Sequence, residues 1–208
     1  MIRILIFVAL LITGLPNPVA QGSSRQIAPL HVEGFGVPGI VRNVAQATHV
    51  VFGIEANMLL GSETRMNFDF TGGTLAQLAD QLAALLPGAS WRQIAGAGIV
   101  IYRDGKAVEL AKTEISLSGV RKATLRQTWE LLTAQPELKT LMRDEHCKEM
   151  NLFRGHEWAN DSPTITLPAG TVTLEQAIAL AVTKSGRFYW TVLDNLREGQ
   201  CEISIAVW

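Results

Sequence analysis

Apolar and polar residues along this chain follow two rhythms that take turns. In Met66–Phe70 (MNFDF), Glu114–Ser118 (EISLS) and Thr164–Leu167 (TITL) they alternate, as in strands with one buried face. Glycines then turn the chain at Gly72 and Gly73, at Gly119 and at Gly170. Apolar residues at helical spacing follow. After Thr74 they are Leu75, Leu78, Ala79, Leu82, Leu85 and Leu86; after Thr124, Leu125, Trp129 and Leu132; after Thr173, Leu174, Ala177, Ile178 and Ala181. This stripe predicts helices with one buried face. A weaker copy stands at the front, where LHVEG (Leu30–Gly34) precedes Val37–Thr48, with Pro38 suited to a first helical turn.

The three stronger copies open on the same device. Thr74–Gln77 reads TLAQ, Thr124–Gln127 reads TLRQ and Thr173–Gln176 reads TLEQ, with starts roughly 50 residues apart. Thr-x-x-Gln is a capping box: the Thr hydroxyl accepts from the backbone N–H of the Gln, whose side chain reaches back to the Thr N–H. Two otherwise unpaired donors at a helix start are thereby satisfied. Thr74, Gln77, Thr124, Gln127, Thr173 and Gln176 therefore read as helix caps and not as a catalytic signature.

Strands are expected after the helices too: Val50–Glu55 after the first, Ser90–Ile94 and Gly98–Tyr102 after the second, Arg187–Leu193 and Cys201–Trp208 after the fourth. The third helix is interrupted at Pro136 and continues through Leu138, Leu141 and Met142, with Asn151–Gly155 a poor strand candidate behind it. The prediction is an α+β chain of two tandem small domains, 27–103 and 113–208, joined by a linker at 104–112. Each runs about β-α-β-β-α-β-β, with two helices packed against small mixed sheets.

FDFTGGTLAQLADQLAALLPGASWRQIAGAGIVIY and TITLPAGTVTLEQAIALAVTKSGRFYWTVL resemble the short N-terminal module of secretins and TonB-dependent receptors. The resemblance rests on pattern: strand, small turn, Thr-Leu helix start, amphipathic helix, hairpin. It implies two helices between two small sheets, and a non-enzymatic module that binds other envelope proteins, often by adding a strand at a sheet edge. No secretin pore domain or TonB-dependent barrel follows in the sequence, and the segment Glu137–Asp161 is long for the pattern.

The N-terminus agrees with an envelope setting. Arg3, a nearly continuous apolar run over Ile4–Leu15, the break at Pro16–Pro18 and small residues at Ala20 and Gly22 are the ordered parts of a secretory signal peptide. The run is shorter than the roughly 20 residues that cross a bilayer. Residues 1–22 are therefore expected to be removed and the chain exported, to the periplasm or beyond the cell. With 18 basic and 19 acidic residues the chain is near neutral. Nothing in that balance steers nucleic acid or an anionic membrane.

Candidate chemistry is sparse. GFGVPG (Gly34–Gly39) satisfies G-x-G-x-x-G after a strand, with Glu55 where a ribose-binding acid would sit. Against a dinucleotide site, the preceding strand carries His31 and Glu33 where a buried parallel strand is apolar. The structural reading is a Gly-rich turn into a helix. Cys147 and Cys201 are the only cysteines, and an even count outside the cytoplasm favours a disulfide. Free, buried or intermolecular thiols are the alternatives. So is a small-ligand or metal site in the His146–His156 loop, from His146, Cys147, Glu149, His156 and Glu157, although Cys-x8-His is not a zinc spacing. No G-x-S-x-G or H-E-x-x-H occurs. His31 and His49 fall at a strand and a helix end, where surface or capping roles are commoner than catalysis. No catalytic residue, cofactor or metal is expected. Trp91, Trp129 and Trp190 belong to the cores, while Trp158 and Trp208 are candidate partner contacts.

Overall fold

The computed structural model describes Gly22 and residues 24–57, 64–94, 97–144, 147–150, 164–197 and 200–207; for 57, 147–150, 194–197 and 200–207 it describes the backbone alone. The fold is α+β, and its elements repeat. The first half holds β1 (Gln26–Ile27), β2 (Leu30–Phe35), α1 (Gly36–Thr48), β3 (Phe52–Asn57), β4 (Arg65–Phe70), β5 (Gly73–Thr74), α2 (Leu75–Ala84), β6 (Ser90–Ile94) and β7 (Gly98–Tyr102). Helix α3 (Lys106–Ala111) connects it to the second half. There follow β8 (Glu114–Leu117), β9 (Val120–Ala123), α4 (Leu125–Thr133), α5 (Pro136–Asp144), β10 (Cys147–Met150), β11 (Ile165–Leu167), β12 (Gly170–Thr173), α6 (Leu174–Lys184), β13 (Tyr189–Arg197) and β14 (Gln200–Val207).

In each half the leading strands make a bent antiparallel ribbon. In the first, β1 pairs β5 and β2 pairs β4; in the second, β8 pairs β12 and β9 pairs β11. The short strands of these ribbons lie between each Gly turn and its helix, and the alternation pattern is too brief there to announce them.

All three capping boxes form. The Thr74, Thr124 and Thr173 hydroxyls accept from the N–H of Gln77, Gln127 and Gln176 at 3.2, 3.1 and 3.3 Å. The Gln Oε1 atoms accept in return from the Thr N–H groups at 2.8, 2.9 and 3.1 Å. Helix α1 has no such box: Phe35 stands at its N-cap without a side-chain bond, and Gly36 N–H donates instead to the Thr64 carbonyl at 2.8 Å. Replacing Thr173 by alanine should cost about 1 kcal/mol, the usual value of a lost N-cap. Thr74→Ala and Thr124→Ala should cost about as much, whereas alanine at the uncapping neighbour Arg126 should change little; chemical denaturation of the four variants checks this.

The central sheet has six strands in the order β10-β14-β13-β3-β7-β6. The first half contributes β3-β7-β6 and the second β10-β14-β13. In both, the first pair is parallel and the second antiparallel. The halves join where β13 runs parallel to β3, with Tyr189 to Asp194 facing Phe52 to Asn57. The two halves thus contribute equivalent three-stranded units, fused edge to edge, to one sheet.

That fusion turns the second unit over, so the helices of the two halves cover opposite faces. On one face α1 and α2 lie between the first ribbon and the sheet, burying Ile40, Val44, Leu78 and Leu82 against Phe52, Ile54, Ile99 and Ile101. On the other, α4 and α6 bury Leu125, Trp129, Leu174 and Ile178 with Val100, Trp190 and Val192. Strand alternation divides the residues: on β7, Ile99 and Ile101 serve the first core and Val100 the second.

Residues 104–112, expected as a plain linker, hold α3, which packs on β3, β13 and α6. Its Ala107, Val108, Leu110 and Ala111 are buried. One and a half turns of small apolar residues give no stripe to read in a sequence, yet they fit tightly over the seam between the halves.

Candidate functional site

Three ionisable side chains meet on the sheet face that α6 covers. Glu55 ends the apolar run of β3. Period-2 alternation sends Phe52, Ile54 and Ala56 into the first core and Glu55 to the opposite face, where it is 0% exposed. Arg92 comes from the middle of β6, and Glu175 from the first turn of α6, where a carboxylate also meets the positive end of the helix dipole. One Arg92 terminal nitrogen, Nη2, donates to Glu55 Oε2 at 2.5 Å and also to Glu175 Oε2. The guanidinium carbon lies 4.5 Å from the Tyr102 ring centroid, and Lys112 Nζ approaches the same ring at 5.7 Å. Arg92 thus stacks on an aromatic face as it bridges two acids.

The electrostatics follow from one cation serving two buried carboxylates. Burial pushes Glu55 up to about 8; the Arg92 charge pulls it back and Glu175 adds to the rise. Burial works against the Arg92 charge, but Glu55 and Glu175 outweigh it and the net shift is upward. Glu55 Oε1 and Arg92 Nε and Nη1 lack hydrogen-bond partners among the described residues. The arrangement therefore holds a proton on Glu55 at neutral pH. Because Glu55 is fully enclosed, no substrate reaches that proton unless the start of α6 moves away.

A pH dependence follows. Below the ordinary carboxyl value of 4.5, Glu55 carries a proton whether the chain is folded or unfolded. Between there and about 8 the folded chain keeps a proton that the unfolded chain has released, so this group's contribution to stability falls as pH rises. Above about 8 the loss is complete and the curve flattens. Glu55→Gln should remove this downward slope and leave a chain at least as stable as the parent at pH 9; unfolding free energies measured across that range check it.

Other sequence-marked residues lie elsewhere. Gly34 packs against the start of α1, where a Cβ would come within 2.6 Å of the Gly39 carbonyl carbon. The strand before that turn pairs antiparallel with β4 in the outer ribbon, outside the sheet that carries Glu55. The glycines thus serve close strand–helix packing, and Glu55 is committed to Arg92. His31 Nδ1 is 2.7 Å from Asp69 Oδ1 on the outer ribbon, and His49 ends α1 in the left-handed region with its ring edge-on to Phe188. Trp129 and Trp190 are buried; Trp91 lies at the margin of the first core and donates to Asp80 Oδ1 at 2.6 Å. Cys147 and Cys201 occupy directly opposed positions in the parallel β10–β14 ladder. His146, His156, Glu157, Trp158 and Trp208 lie outside the described residues, as does the Asn151–Gly155 strand candidate.

The sequence did not announce this cluster, because Arg92 lies 37 residues from Glu55 and 83 from Glu175. The one available signal was an acid on the inward phase of an apolar strand. Phe35, 65% exposed at the end of β2, was also missed.

Among the described residues no group of acids, histidines and cysteines is placed to hold a metal, and no helix is long and apolar enough to cross a membrane. Comparison with protein-family models, with curated proteins and with solved structures finds no match to this chain.

Proposed function

We propose that the chain is an exported, non-catalytic interaction module of the cell envelope, built like the short N-terminal modules of secretins and TonB-dependent receptors. It binds partner proteins through sheet edges and loops. The observation that carries this reading is the pairing of two ribbon-and-helix units whose edge strands, among the described residues, are open to addition. Each outer ribbon is two strands wide, and the central sheet ends in β6 and β10, so among the described residues backbone donors and acceptors stand along several edges. The buried charge cluster supports the same reading, since it is closed to substrate and joins the two halves.

The test is capture of partners by cross-linking the full chain in its native envelope, read by mass spectrometry. Recovery of an outer-membrane channel, a TonB-system protein or another envelope component supports the module. Absence of any envelope partner, with nucleotide or metal bound to the purified chain, would replace it with a ligand-binding function.

Export also bears on the cysteines. The β10–β14 register sets Cys147 beside Cys201 at the spacing of neighbouring strands, roughly 4.8 Å, which lies inside the Cα range that a disulfide spans. Protein recovered from the envelope should therefore resist thiol alkylation until it is reduced, and remain a single chain on non-reducing gels. Ready alkylation of both thiols without reductant would show them free.

A further inference from the structure

We infer that the two end strands of the central sheet, β6 and β10, join copies of this chain head to tail, as β13 and β3 join the halves within it. The inference deepens the interaction-module reading by naming a second copy as the partner.

The internal junction supplies the template. By their order in the repeat, β6 corresponds to β13, and β10 corresponds to β3. Trp91 follows Thr74 at the same spacing with which Trp190 follows Thr173, and each tryptophan faces the helices of its own half. Inside the chain, a β13-type edge meets a β3-type edge in parallel. The chain therefore carries at its two ends the same two kinds of edge that it pairs in its middle.

Strand directions are consistent with repetition. β3 and β7 run together and β6 runs against them; β13 runs with β3, so β14 and β10 run against it. Hence β6 and β10 point the same way, and a translated copy would place its β10 parallel to β6. The join reproduces the internal one, including the switch of helices from one face to the other. The two surfaces differ, so the contact is heterologous and open-ended, closing only if sheet twist brings the ends together. A Cβ on Gly22 would abut Gln93 Nε2, so the chain passes beside β6 there, but among the described residues β6 pairs only with β7. β10 has four residues, against six residue pairs at the internal junction, so association is expected to be weaker and concentration-dependent.

Sedimentation of the full exported chain over a concentration series is the direct test, with the average mass expected to climb past that of two chains. Gln93→Pro blocks the β6 edge by removing a backbone donor, and Glu149→Pro does the same at β10. Each variant alone should be monomeric, while an equimolar mixture should form one-to-one dimers and nothing larger. Thermal melts confirm folding; if Gln93→Pro unfolds, Glu149→Pro carries the test alone, through its loss of self-association. A parent chain that stays monomeric at its highest soluble concentration overturns the inference. So does a dimer that either variant still forms alone. Capture of an envelope partner by a monomeric chain would leave the module reading standing while this one fails.

Discussion

Arg92→Met is expected to destabilise the chain by about 3–5 kcal/mol at neutral pH, the range for removing one partner from a buried ion pair. The methionine fills a similar volume and keeps contact with Tyr102, so lost packing is a small part of the effect. What remains is two acids, Glu55 and Glu175, facing each other on a covered sheet surface without the cation that bridged them. One control separates charge from shape. The cost should shrink when Glu55→Gln and Glu175→Gln accompany Arg92→Met, because no uncompensated charge is then buried. A cost unchanged by that control would mean that Arg92 acts through packing alone.

The same triad shows why the halves of this chain cannot be regarded as independent. Glu55 and Arg92 belong to the first unit and Glu175 to the second, so folding either unit alone leaves charge without its partner. Helix α3 strengthens the dependence, since its buried face rests on β3 from one unit and β13 from the other. The fused sheet is a larger body than either three-stranded unit, which suits the burial that small domains lack.

What the sequence revealed, and what it withheld, follows from range. The boxes at Thr74, Thr124 and Thr173 are complete within four residues, and their helices repeat an apolar stripe over three turns, so both were legible. Strand β3 was legible too, as VVFGIE, because alternation needs no distant partner. The pairing of β13 with β3 was not, since it joins segments more than a hundred residues apart by shape and backbone direction. Strands β5, β9 and β12 are two to four residues long and pair within the ribbons with strands distant in sequence, which leaves no local period to detect. Glu175 was hidden differently: inside TLEQ it reads as an ordinary first-turn acid, and its inward role appears only when α6 is laid across β6.

Trp190→Ala should cost about 3–5 kcal/mol, the range for truncating a large buried aromatic, and should do so by opening the seam between the halves. Trp190 is 0% exposed and stands directly opposite Gly53 in the β13–β3 ladder. Its indole occupies the space over Gly53, where any Cβ would collide with the ring. Glycine at 53 is therefore required by its neighbour across the seam, not by its own backbone angles. Gly53→Ala should then cost about 1–3 kcal/mol as overpacking, although alanine is the better residue in isolation. The decisive quantity is the coupling between the two sites. With alanine at 190 the ring is gone, and Gly53→Ala should become neutral or stabilising, giving a non-additivity of at least 1 kcal/mol in a double-mutant cycle. Additive costs would show that the indole and Gly53 do not meet, and would separate the two units that the seam is held to join.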